Sequence, residues 1–292
     1  MEQFIQQLIN GISIGSIYAL IALGYTMVYG IIKLINFAHG DILMIGAYVG
    51  LFCVMAWNLS LIPAIIVAMI ACAILGVVTE RVAYKPLRNA PRIAVLITAL
   101  GVSFLLEYLM VYFFKANSRT YPVTFFSFGS IELGGITISM DKMVIALITI
   151  ILMILIQIIL KKTKLGKSIR AVSSDQDAAQ LMGISVDRAI SFTFILGSAL
   201  AGVAGVMYGA MFTINPLMGI QPGIKAFVAA VFGGIGNVPG AILGGILLGV
   251  IETLVSAYLS SSIKDAVAFA ILIIVLVVRP SGLLGKNIKE KV

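Results

Sequence analysis

The stretch Ala189–Ile214, AISFTFILGSALAGVAGVMYGAMFTI, runs for 26 positions without one charged residue. A helix needs about 20 predominantly apolar residues to cross the hydrocarbon core of a bilayer, so this run is long enough to span. Upstream, similar runs cover about Leu8–Ile32, Ile42–Trp57, Leu61–Val78, Ile93–Phe114 and Met143–Leu160. Downstream, Ala226–Ile251 is again uncharged. There the cluster Gly233-Gly234-Ile235-Gly236-Asn237-Val238-Pro239-Gly240 separates a short piece, about Gly219–Phe232, from a full helix, about Ala241–Leu259. Ala266–Val278 closes the series. The expectation is an all-α, polytopic integral membrane helical bundle, a single domain over 1–292, with about 8–9 transmembrane segments and broken helices among them.

Composition points the same way. Apolar residues make up 61% of the 292 and charged residues 11%, against about 45–50% and 25% in soluble domains. The 29 glycines suit closely packed membrane helices. Cys53 and Cys72 lie in apolar runs without polar neighbours and read as buried thiols. His39 is the sole histidine, so neither a histidine metal cluster nor a histidine-based catalytic array can form. No cofactor and no metal are expected. The N-terminal MEQFIQQLIN lacks the basic start of a signal peptide and is expected to stay in the mature protein.

The formal charge of +8 is read as an orientation signal and not as a nucleic-acid surface. One threading puts Lys33, the group Arg81, Lys85, Arg88 and Arg92, the group Lys161–Arg188, and Arg279, Lys286, Lys289 and Lys291 on one face. That is fifteen of the 20 cations, leaving Lys115, Arg119, Lys142, Lys225 and Lys264 opposite. The positive-inside rule then places the N-terminus outside and the C-terminus in the cytoplasm. This parity counts the short piece as a crossing. The outer loop Lys115–Asp141, with Tyr121-Pro122 and Gly134-Gly135, reads as a docking rim or an ordered loop.

The inner loop, about 161–190, carries the strongest functional signal. Ser173 or Ser174 can cap a short helix whose acids Asp175 and Asp177 sit at its positive end, and Gly183 can end it in the left-handed conformation. Ala178, Ala179, Leu181 and Met182 would then stand on a solvated helix just outside the membrane. Such a face suits a partner's groove, or an interfacial helix lying on lipid.

Asp177-Ala178-Ala179, with Gly183 after three intervening residues, resembles the Glu-Ala-Ala-x-x-x-Gly loop of ABC importer permeases, with Asp in place of Glu. Asn36-Phe37-Ala38-His39-Gly40-Asp41, followed by Gly46-Ala47-Tyr48, resembles the signature of permeases for branched-chain amino acids. So do Ala201-Gly202-Val203-Ala204-Gly205, Gly233-Gly234-Ile235-Gly236-Asn237 and Gly244-Gly245. A urea-importing branch shares the Asn-x-Ala-His-Gly motif. The resemblance implies a type II ABC importer permease-like fold and translocation of leucine, isoleucine and valine. It also implies a second permease subunit in a hetero-dimer, cytoplasmic ATPase subunits that grip the Asp177–Gly183 helix, and an extracytoplasmic substrate-binding protein. The chain has no Gly-x-x-x-x-Gly-Lys-[Ser/Thr] motif, so ATP would be hydrolysed by a separate subunit.

Two readings fit the polar break at Asn36–Asp41. It is a solvated cytoplasmic turn capping the second helix, or a broken helix at membrane depth lining a substrate path. Gly233, Gly234, Gly236, Asn237 and Gly240 form a second break of the same form. Small residues at steps of four (Gly197, Ala201, Gly205, Gly209; Gly236, Gly240, Gly244) read as close helix packing or a path lining. Glu107 and Glu252 are single acids inside apolar runs, with no basic partner at i±3 or i±4. Hydrogen-bonded or neutral carboxyls are expected, while a proton site would mark a secondary transporter.

Overall fold

The computed structural model describes residues 2–33, 35–88, 90–122, 125, 129–133 and 136–285. Its helices, in chain order, are α1 (Glu2–Ile32), α2 (His39–Trp57), α3 (Leu61–Thr79), α4 (Arg92–Phe114), α5 (Met140–Lys162), α6 (Lys164–Ser174), α7 (Gln176–Leu181), α8 (Val186–Met211), α9 (Ile220–Gly233), α10 (Val238–Tyr258) and α11 (Lys264–Val278). A π-helical turn, Glu80–Tyr84, and a 3₁₀ turn, Lys85–Leu87, extend α3. The one sheet among the described residues is a hairpin in the α4–α5 loop. There β1 (Ser130–Leu133) pairs antiparallel with β2 (Ile136–Ser139). Gly134 and Gly135 of that loop lie outside the described residues.

Among the described residues, seven helices are long and apolar enough to cross a membrane: α1, α2, α3 with its extension, α4, α5, α8 and α10. α9 has 14 residues and α11 has 15. At 1.5 Å per residue each is about 21–23 Å long, short of the roughly 30 Å hydrocarbon core.

α1 is the central post: 89% of its most apolar window is buried, against 22% for α4 and α5. Backbones touch where glycines meet. A Cβ on Gly249 of α10 would lie 2.3 Å from Cα of Gly15 of α1, and one on Gly205 of α8 would lie 2.2 Å from the Leu43 carbonyl oxygen of α2. Contacts this close let van der Waals attraction hold helices together where lipid removes any hydrophobic drive. The Gly197–Gly209 row of α8 is therefore a packing row. In the second row, Gly240 and Gly244 face α9, but Gly236 lies before α10 with φ +87°.

The cation clusters converge on one end of the bundle. Lys85 and Arg88 both pair with Asp187 at the start of α8, and Ser173 at the end of α6 and Gln176 at the start of α7 donate to Gly30 and Ile31 carbonyls at the end of α1. The 280–285 segment returns to this end, where the Leu283 and Leu284 amides donate to Phe232 and Gly233. Lys286, Lys289 and Lys291 lie outside the described residues. At the opposite, hairpin end, Arg119 and Ile214 exchange both backbone hydrogen bonds at 2.8 Å, and Lys142 donates to Asn10.

Candidate functional site

The break between α1 and α2 lies inside the bundle. After Ile32 the chain turns at Lys33, φ +57°, and re-enters. Asn36 is 2% exposed, and its Oδ1 accepts a 2.8 Å hydrogen bond from the Tyr84 hydroxyl of the π turn. α2 begins at His39, three residues earlier than its apolar run suggests. His39 and Asp41 are each 1% exposed, which overturns the solvated-turn reading. Their depth follows from their neighbours. A Cβ on Gly24 would fall 2.5 Å from His39 Nε2. Gly24 is 8 residues before the end of α1, about 12 Å inward. Asp41 Oδ2 accepts a 2.5 Å hydrogen bond from Ser103 Oγ. Ser103 is 11 residues into α4, about 16 Å inward.

α9 starts at the same depth. A Cβ on Gly219 would lie 2.6 Å from the Gly40 carbonyl oxygen and 2.7 Å from Asp41 Oδ1, while one on Gly40 would strike the Gly219 oxygen at 2.3 Å. Only glycine at both positions permits this meeting. Two helix N-termini therefore abut within the bundle, α2 running toward the hairpin end and α9 toward the basic end, each presenting a positive dipole end. The second deep break is thus residues 212–219, which descend from the hairpin end. Gly233, Gly234, Gly236, Asn237 and Gly240 form a tight turn at the basic end, where Asn237 Oδ1 caps α10 and its Nδ2 donates to Leu284.

Beside the junction is a cavity of about 340 Å³. Asp41, Ser103 and Glu107 supply its polar side chains together with the Tyr25 hydroxyl. Ile35, Phe37, Phe104, Ile224 and Phe227 make it otherwise apolar, and Gly219 and Gly223 form its backbone wall. Tyr25 is wedged between His39 and Phe227, ring centroids at 4.7 and 6.1 Å. Of the residues singled out by their place in the sequence, the structure brings Asn36, Phe37, His39, Gly40, Asp41 and Glu107 together here. Tyr25, Ser103, Gly219, Gly223 and Phe227 join them without having stood out in the sequence. The cluster Gly219, Pro222, Gly223 at the head of an apolar run is their one visible signal.

Glu252 lies elsewhere. Its Oε1 meets Lys225 Nζ at 2.6 Å and Lys264 Nζ at 3.2 Å, and Oε2 accepts from the Tyr18 hydroxyl at 3.0 Å. Glu252 is thus hydrogen-bonded between helices, as expected, and its cationic partners come from α9 and α11, outside the reach of i±4 spacing. Lys225, counted above with the cations of the outer face, is 9% exposed within α9.

At the basic end α7 is capped by Asp175, not Ser173 or Ser174. Its Oδ1 accepts from the Ala178 amide at 2.9 Å. Asp177 lies in the first turn, and Gly183 has φ +79°. Ala178 is exposed, but Ala179 is 5% exposed and packs in the core cluster with Ala189 and Ile190, so the outward apolar face is narrower than expected. Leu181 and Met182 form it, 88% and 82% exposed. Behind it, Glu80 of the π turn accepts from Arg88 and from Ser191 Oγ of α8.

Residues 7–276 match the family model described as branched-chain amino acid transport system / permease component. The chain is 42% identical over 301 positions to the high-affinity branched-chain amino acid transport system permease protein BraD of Pseudomonas aeruginosa, covering 99% of this chain and 98% of that protein. It is 43% identical over 302 positions to the corresponding protein LivH of Escherichia coli, with the same coverage. Among solved structures, a chain of PsaBC from Streptococcus pneumoniae in complex with Fab shares the fold at a TM-score of 0.50 and 14% identity, over 93% of this chain and 91% of that one. The chain belongs to the family of branched-chain amino acid transport system permease components, and is a multi-pass membrane protein.

Proposed function

We propose that this chain is a translocating subunit of an ABC importer that moves leucine, isoleucine and valine across the bacterial plasma membrane. Near full-length identity to permeases named for these substrates carries the reading. In it, residues 1–292 are a single permease domain that works beside a second permease subunit. An extracytoplasmic binding protein delivers the solute, and the chain itself makes and breaks no bonds. The positive-inside rule puts the basic end in the cytoplasm, with the N-terminus outside and the C-terminus inside.

The contact for the ATPase is α7 together with Leu181 and Met182. Two large apolar side chains held in water by a capped helix are poor neighbours for solvent and suited to a cleft. ATP-driven closure would push α7 against Ala189 and Ile190, and so against the foot of α8. The network Asp187, Arg88, Glu80 and Ser191 ties that foot to the π turn, whose Tyr84 holds Asn36 at the deep break. A push at α7 thereby has a covalent and hydrogen-bonded route to the α2–α9 junction.

Deleting the gene should abolish high-affinity uptake of labelled leucine, with isoleucine and valine competing in the parent strain. Intact leucine uptake with lost urea uptake overturns the substrate assignment.

A further inference from the structure

The cavity at the α2–α9 junction holds two carboxyl groups with no cation to meet them. Asp41 and Glu107 are 1% and 2% exposed, and both line the cavity. Asp41 Oδ1 and Glu107 Oε1 have no hydrogen-bond partner among the described residues, and no Lys or Arg lines the cavity. A buried carboxyl group is stabilised by a paired charge or by hydrogen bonds to all its oxygens. Here one oxygen on each acid has no donor among the described residues, and the two carboxyl groups lie close enough to hydrogen-bond each other once one of them carries a proton. The helix N-termini of α2 and α9 favour negative charge on Asp41, which lies in the first turn of one and against Gly219 of the other. Glu107, on α4, has no such support. What the site calls for is a small cation with several hydrogen-bond donors.

A primary ammonium group fits that description. Its three N–H donors match Asp41 Oδ1, Glu107 Oε1 and the Ser103 hydroxyl oxygen, and its single charge balances the acid that the helix ends leave uncompensated. The remaining walls, among them Phe104, Ile224 and Phe227, are aliphatic or aromatic, which suits a hydrocarbon chain attached to that ammonium. The volume of about 340 Å³ is at the lower end of small-molecule pockets, roughly 300–1,000 Å³. A hard divalent ion, which takes six or more oxygen ligands, would find too few here. We propose that Asp41, Ser103 and Glu107 form an ammonium-binding subsite at membrane depth. It receives the α-amino group of an aliphatic amino acid in transit, and this last identification rests on the amino-acid reading above.

The test uses the complete permease–ATPase complex in nanodiscs, without binding protein, and two probes that split leucine in half. One is 3-methylbutylamine, which keeps the ammonium and loses the carboxylate; the other is 4-methylpentanoate, which does the reverse. Saturable binding of the labelled amine is expected, with leucine competing and the acid failing to compete. Glu107→Gln should weaken amine binding by about tenfold or more, as loss of a charge-assisted hydrogen bond requires, and Ser103→Ala by less. The melting temperature of the Glu107→Gln complex should stay near that of the parent.

The proposal is overturned by any of four results: no saturable amine binding, equal competition by the acid, amine binding unchanged in Glu107→Gln and Asp41→Asn, or a sodium or pH dependence of uptake that vanishes in Glu107→Gln while amine binding persists. Variants that lose only thermal stability would make the acids a structural pair and count against it equally. Direct amine binding does not depend on which solute the complex carries. Normal leucine uptake after deletion would therefore refute the substrate assignment and leave the subsite standing.

Discussion

Two acid sites lie within the bundle, and they are built on opposite plans. Glu252 is surrounded by donors: Lys225, Lys264 and the Tyr18 hydroxyl converge on it, tying α1, α9, α10 and α11 together. Ser103 donates its one hydroxyl proton to Asp41, and Asp41 and Glu107 line one cavity. A membrane protein gains cohesion from the first arrangement, because every charge is answered within the fold. The second leaves one oxygen on each acid without a donor among the described residues. Under the proposed subsite, the first arrangement serves the structure and the second serves the solute.

The largest expected effect tests that division directly. Lys225→Met leaves Glu252 with the Tyr18 hydroxyl and the more exposed Lys264, and should cost about 3–5 kcal/mol in thermal or denaturant unfolding of the purified complex. Glu107→Gln, also a single change at a buried charge, should leave stability unchanged or raise it slightly. If the two variants destabilise alike, the distinction between the sites fails. Next in size is Gly40→Ala, whose methyl group would strike the Gly219 carbonyl. Overpacking of this kind costs about 1–3 kcal/mol, and uptake should fall further than the melting temperature implies, because the α2–α9 junction is pried open.

Ser103→Ala should cost about 1 kcal/mol, read as a small drop in melting temperature, since it removes the hydroxyl donor to Asp41. The smallest stability effect, within about 0.5 kcal/mol, is expected for Leu181→Arg combined with Met182→Ser, both on the surface. That variant should nevertheless lose substrate-stimulated ATP hydrolysis. An assembled variant complex that keeps such stimulation would remove α7 from the coupling role.

The spanning helices were legible in the sequence because a lipid solvent writes itself as long uncharged runs, and α8 needs no other argument. The α7 helix was legible because its stop signal is local: Gly183 takes the left-handed conformation that a short helix ends on. What the sequence concealed was depth. Gly233–Gly240 and Asn36–Gly40 both read as glycine-containing breaks between apolar runs, yet one is a turn at the basic end and the other a junction within the bundle. Only the neighbours Gly24, Gly197 and Gly219, far apart in the chain, decide which is which. The burial of Lys225 was hidden for the same reason, since its carboxylate partner lies 27 positions later in the chain.

That separation of 27 positions also orders the making of the protein. Lys225 leaves the ribosome before Glu252 exists, and at about 5–20 residues per second the gap lasts roughly 1–5 s. During it α9 is 14 residues of helix with an unanswered cation, too short to span and too polar to remain in lipid unaided. Its carboxylate partners Glu252 and Asp265 arrive only with α10 and α11, so α9 is expected to settle in the bilayer together with α10 and not before it. A nascent chain arrested between these two helices should therefore leave α9 extractable from the membrane, although every helix before it is already home.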